Sequence, residues 1–123
     1  MIVLVDSNIL INVTRGREEE TLRWLDLARS GAKVICSAVT VAELWHSARP
    51  REEPALEALF RSISTVPVDE QIGRRAGEFL RRYHSSHQIG LADAIIAATA
   101  SLQNAPLWTR NRKHFPMPEI SFA

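Results

Sequence analysis

Three carboxylates in this chain are candidates to act together on a phosphate ester if the fold makes them converge. Asp6 ends an apolar run in Val5-Asp6-Ser7-Asn8, and Glu43 lies in Thr40-Val41-Ala42-Glu43-Leu44-Trp45. Asp93 opens the stretch Gly90-Leu91-Ala92-Asp93-Ala94-Ile95-Ile96-Ala97-Ala98. Converging carboxylates repel one another, which raises at least one pKa unless a cation joins them. All-oxygen ligation suits Mg²⁺ or Mn²⁺, ions of the kind that keep several waters and bind phosphates. The chemistry open to such a cluster is metal-assisted hydrolysis of a phosphodiester. The metal polarises a phosphoryl oxygen and lowers the pKa of a bound water, and a free carboxylate positions or deprotonates that water. A fourth polar cluster, Thr109-Arg110-Asn111-Arg112, adds candidate substrate contacts. Asn8 and Asn111 are neutral donors for a water or a phosphate oxygen, and Arg110, Arg112 and Lys113 are cations for a nucleic-acid backbone.

Each of these residues also has a structural role open to it. Asp6 is a natural cap for a following helix, and Thr40-x-x-Glu43 has the spacing of a capping box. Asp93 satisfies the dipole at a helix start, and Asn111 is an ordinary turn residue. Those roles leave unexplained why all four fall at one end of the expected sheet. Asp93 is the hardest to treat as structural, because its alanine-rich helix reads as buried and an unpaired buried carboxylate is strongly disfavoured. Zinc fits less well: His84 and His87 read as part of a polar connection, and His46 and His114 stand isolated.

The elements that must position these groups follow from hydrophobic spacing. Ile2 to Val5 is a short β-branched run, a buried strand, after which Ser7 caps a short helix carrying Ile9, Leu10 and Val13. Acidic Glu18, Glu19 and Glu20 open a second helix, with Leu22, Leu25 and Ala28 expected on its apolar face beside Trp24 and Leu27. Ser30-Gly31 closes it. Lys33 to Cys36 forms a second strand, and Val41, Leu44, Trp45 and Ala48 recur at helical spacing. Pro50 ends that helix and Pro54 opens the next. Thr65-Val66-Pro67-Val68 is an edge strand. A long helix from Asp69 carries the stripe Ile72, Ala76, Phe79, Leu80 and Tyr83, and residues 84–90 connect it to a central helix from Leu91 to Leu102. Leu107-Trp108-Thr109 and Ile120-Ser121-Phe122 complete the strands. Strand–helix alternation implies an α/β fold, a parallel sheet covered on both faces, whose sites lie beyond the strands' carboxyl ends.

Composition narrows the classes further. With 123 residues the chain suits one domain, and 46% hydrophobic with 24% charged residues is ordinary for a globular protein. No apolar run reaches membrane-spanning length, and the single cysteine, Cys36, excludes an internal disulfide or a cysteine-rich zinc site. A cytoplasmic location is expected. Net charge is +1, so the field of the whole molecule points to no partner. Arg74, Arg75, Arg81 and Arg82 lie off the apolar stripe of their helix, either as a nucleic-acid face or simply as a solvated one. Glycine-rich phosphate loops and G-x-S-x-G elbows are absent. A phosphatase using an aspartyl-phosphate wants a second carboxylate two residues after Asp6, where this chain has Asn8.

The run from Ile2 to Leu10 resembles the opening of PIN-domain proteins. Ser37 to Leu44 resembles their second motif, Leu91 to Ala100 their third, and Thr109-Arg110-Asn111 through His114-Phe115 their fourth. Size and spacing are most similar to toxins of the VapC type. The resemblance implies a three-layer α/β/α fold with a roughly five-stranded parallel sheet, and a Mg²⁺- or Mn²⁺-dependent endoribonuclease. It implies Asp6 and Asp93 as main metal ligands, Glu43 as the third acid, and Asn111 where many relatives carry Asp. A homodimer and a cognate VapB-like antitoxin are implied as well. The rival readings are a non-catalytic RNA-binding module on the same fold and a metal-dependent phosphatase or DNA nuclease.

Overall fold

The computed structural model describes residues 1–123. Four parallel strands form one sheet in the order β3-β2-β1-β4: β1 (Ile2–Val5), β2 (Lys33–Ser37), β3 (Ser64–Val66) and β4 (Leu107–Trp108). Between β1 and β2 run α1 (Ser7–Thr14) and α2 (Glu18–Arg29). Between β2 and β3 run α3 (Ala38–Ser47) and α4 (Glu53–Ser62), with a 3-10 turn over Pro50–Glu52. The long connection to β4 carries α5 (Glu70–His87) and α6 (Leu91–Gln103).

Strand side chains alternate between faces, and this splits the core into two layers. Leu4, Ile35 and Leu107 pack with Ile72, Ala76 and Phe79 of α5 and the alanines of α6. Val3, Val5, Cys36 and Trp108 pack the other way, against Ile9 and Leu10 of α1, Leu44 of α3, and Leu56 and Leu59 of α4. The α/β/α sandwich with its parallel sheet is as expected. The order reverses at β1, which pairs with β2 on one side and β4 on the other. That reversal opens a crevice beyond the carboxyl ends of β1 and β4, where α/β sheets bind ligands.

Several expectations need correction. The sheet has four strands rather than about five, because Ile120–Phe122 meets β4 only through the single parallel bridge Leu107–Phe122. Pro116 and Pro118 offer no N–H to a ladder and hold the tail off β4 until Ser121. Residues 84–87 are not a connection: α5 continues through His87 and stops at Gln88, which takes a left-handed conformation at φ 52°. The inner face of α2 is also rotated from the expected one. Leu22 and Leu25 are exposed, while Glu20 and Leu27 are buried. Finally, Asp6 rather than Ser7 occupies the N-cap of α1.

Candidate active site

Asp6 is carried to the crevice by β1, whose apolar run has no polar residue before it. Its side chain is 6% exposed and both oxygens are held. Oδ1 accepts the Ser7 backbone N–H at 2.7 Å, and Oδ2 accepts the Thr109 hydroxyl at 2.7 Å. Burial raises the pKa of Asp6 above the usual carboxylate value and the charge of Asp93 raises it further; the two hydrogen bonds and His114 pull the other way. The residue therefore serves as helix cap and candidate ligand at once.

Asp93 stands in the first turn of α6, which its alanines allow to pack closely in the core. Its side chain is half-buried, less enclosed than the alanine run suggested, and His114 Nδ1 lies 3.6 Å from Oδ2. His114 is thus not isolated: the 3-10 turn Arg112–His114 brings it onto the carboxylate. Burial raises the Asp93 pKa, His114 and the Gly90 backbone lower it, and the charge of Glu43 raises it.

Glu43 reaches the site from α3. The Thr40–Glu43 capping box is not formed, because Ser37 caps this helix by accepting the Val39 N–H at 3.1 Å. Thr40 is instead fully buried inside the helix. Glu43 Oε1 accepts the Ser7 hydroxyl at 2.6 Å, which ties α3 to the start of α1.

The electrostatic chain Asp6–Asp93–Glu43 joins the three acids named from the sequence. No Lys or Arg pairs with any of them, since the arginine salt bridges all engage other acids. No three His, Cys, Asp or Glu side chains are gathered into a complete metal cage. Mg²⁺ and Mn²⁺ do not require one, because one or two carboxylates suffice when waters and substrate phosphate fill the shell. A buried Asp6 and a half-buried Asp93, with only His114 beside them and no Lys or Arg paired to either, fit that kind of ion.

The remaining candidates form the rim. Asn8 Oδ1 receives the Arg110 backbone N–H at 3.4 Å, so Asn8 helps to hold the segment after β4. Asn111 acts through its backbone, donating to Thr109 Oγ1 at 3.0 Å, while its side chain is exposed. The Arg110 guanidinium pairs with Glu20, and Arg112 stacks over the Phe122 ring at 4.8 Å. Sequence reasoning missed three residues here: Ser7 as the partner of Glu43, His114 beside Asp93, and Glu20 beneath Arg110. Thr109, noted only as part of a polar cluster, is a direct partner of Asp6. The arginines of α5 are mostly engaged: Arg74 with Glu70, Arg75 with Glu78, and Arg82 with Glu119 through two bonds of 2.9 Å. That favours a solvated, ion-paired face over a nucleic-acid face.

Comparison with known proteins agrees with this architecture. The family model described as PIN domain matches residues 3–119. The chain is 43% identical over 118 residues to "Ribonuclease VapC10" of Mycobacterium tuberculosis, covering 95% of this chain and 88% of the relative. It is 37% identical over 115 residues to "Ribonuclease VapC19" of the same species, covering 93% and 92%. Among solved structures, a toxin–antitoxin complex from Klebsiella pneumoniae matches at TM-score 0.79 and 28% identity, over 96% of this chain and 94% of that one. VapBC-1 from nontypeable Haemophilus influenzae matches at TM-score 0.79 and 25% identity, over 100% and 97%.

Proposed function

The chain belongs to the PIN-domain family, and from that premise we propose that its crevice is the active site of a metal-dependent endoribonuclease, the toxin of a VapBC-type pair. Residues 1–123 act as one nuclease domain in this reading. The observation that carries it is the Asp6–Asp93 pair: two carboxylates at the reversal of the strand order, both with pKa raised by burial, the charge of Asp93 adding to the rise at Asp6, and neither paired with a Lys or Arg. Asp6 and Asp93 would hold the cation, Mg²⁺ or Mn²⁺, with Glu43 as the third acid. When bound, such an ion polarises a phosphoryl oxygen and lowers the pKa of a coordinated water.

The chain's own groups then do the rest. Ser7 fixes one oxygen of Glu43, leaving the other to orient the attacking water and take its proton. Water adds to phosphorus as the bond to one ribose oxygen breaks; that oxygen leaves with a proton from solvent, and Glu43 returns the water's proton to solvent. Asn8, Arg110, Asn111 and Arg112 line the rim along which the RNA backbone lies.

A VapB-like antitoxin is the partner, in line with the toxin–antitoxin complexes among the similar structures, and the toxin works as a homodimer. No helix is long and apolar enough to cross a membrane, and we place the protein in the cytoplasm. The test is cleavage of total RNA by antitoxin-free protein with Mg²⁺ or Mn²⁺, wild type against Asp6→Asn. Cutting that needs metal and disappears in the variant is the expected result. RNA binding without cutting, equal in both proteins, would favour the non-catalytic module.

A further inference from the structure

A second cavity adjoins the carboxylates. It measures about 320 Å³, and its charged lining is three arginines, Arg23, Arg110 and Arg112, against two acids, Glu19 and Glu20, with Trp108 and Thr109 beside them. Thr109 is the shared wall, since its hydroxyl is the donor to Asp6. Three arginines thus face one cleft from two stretches far apart in sequence, α2 and the segment after β4.

Each is set by a different device. The Arg23 guanidinium lies 5.0 Å from the Trp108 ring centre and that of Arg112 lies 4.8 Å from the Phe122 ring. Stacking of this kind orients a guanidinium while leaving its N–H edge free, and neither arginine has an acidic partner within salt-bridge distance. Arg110 is held from below. Glu20 is 4% exposed, and its Oε1 accepts from Arg110 Nη1 and from the Asn12 amide at 2.9 Å. These two donors, Asn12 first, keep the Glu20 carboxyl below its ordinary pKa. Guanidinium carries five N–H donors, so a pair made through Nη1 leaves Arg110 free to bind an anion. Trp108 is 6% exposed and already covered by Arg23, so the cleft offers cations rather than an open ring for stacking a base.

We propose that this cleft is a subsite for a backbone phosphate neighbouring the scissile one, gripped by Arg23, Arg110 and Arg112, with Glu20 and Asn12 as positioning residues that hold Arg110 in place. The inference rests on the ribonuclease reading and extends it: grip here is through phosphate and tolerates any base.

The experiment measures anisotropy of a short fluorescein-labelled oligouridylate with the antitoxin-free toxin, in chelator and across a salt series. Each phosphate contact on a single strand contributes about 0.7 to the slope of log affinity against log salt. Arg23→Ala should flatten that slope by about this amount, and Arg81→Ala on α5 should leave it unchanged. Glu20→Gln keeps an acceptor for Asn12 and should raise KM for RNA cleavage severalfold with kcat preserved. A role for Glu20 in folding alone would instead lower kcat with the folded fraction and leave KM alone. An unaltered slope in Arg23→Ala, or no salt-dependent binding by the wild type, would overturn the subsite. Metal-dependent cutting of total RNA, scored on the same wild-type preparation, tells whether the ribonuclease reading survives that failure.

Discussion

At Asp93 the carboxyl meets two opposing influences: burial and Glu43 disfavour its charge, while His114 favours it. The balance leaves its pKa raised from 3.8, as is that of Asp6. In the folded protein both groups therefore hold their protons over a pH range where the unfolded chain has released them. Stability then falls as pH rises through that range, from about 4 upward. Asp93→Asn removes one such group and its repulsion with almost no change of shape. Without metal, the variant should equal or exceed the wild type in stability at neutral pH, and the difference should vanish below pH 4. Cleavage should be abolished. Urea unfolding at several pH values, with a parallel RNA assay, checks both; a large loss of stability would mark Asp93 as structural.

At the scale of elements, the end of β4 matters more than its two residues suggest. Thr109 donates to Asp6 and accepts from Asn111, so one hydroxyl fixes a candidate ligand and the loop bearing Arg110 and Arg112. Thr109→Val keeps the shape and removes both bonds. Stability should fall by about 1–3 kcal/mol for the buried groups left unpaired. Because the lost bond was lowering the Asp6 pKa, the acid limb of the cleavage profile should move to higher pH. A pH–rate series and a metal titration of both proteins would show this, and an unmoved limb would count against the Thr109–Asp6 link. Helix α2 shows a related effect. Its inner face departs from the apolar spacing because Glu20, which reads as solvent-exposed in sequence, is drawn inward by Arg110 and Asn12 and leaves Leu22 and Leu25 outside.

For the molecule as a whole, the site joins parts that fold far apart in sequence: β1 with α1, α3, the start of α6, and the segment after β4. A cation bound to Asp6 and Asp93 bridges these parts only in the folded state, so it stabilises by mass action. Mn²⁺ at a hundred times its Kd should add about 2.7 kcal/mol and raise Tm by several degrees in the wild type. Asp6→Asn should lose most of that shift. Calorimetric scans with and without metal test it, and equal shifts in both proteins would place the ion elsewhere.

The alternation of apolar runs with helical stripes was enough to define the α/β class, the strands β1 to β4 and the order of helices. Strand and helix periodicity are local properties that a single window of residues displays. Asp6, Asp93 and the Arg110–Arg112 cluster were legible for the same reason, each sitting where an apolar element begins or ends, and Glu43 stood out as the acid within the helix that follows β2. The partners of those groups were not. Ser7 on Glu43, Thr109 on Asp6, His114 on Asp93 and Glu20 under Arg110 are contacts between residues distant in the chain, and side chains of these types look like solvent-facing residues until another element closes over them. The same holds for the last strand: Ile120 to Phe122 has strand composition, but two prolines decide how much of it reaches β4. Local spacing determined which elements form and where the acids stand; the packing of those elements decided which donors satisfy them, and so which groups remain free for chemistry.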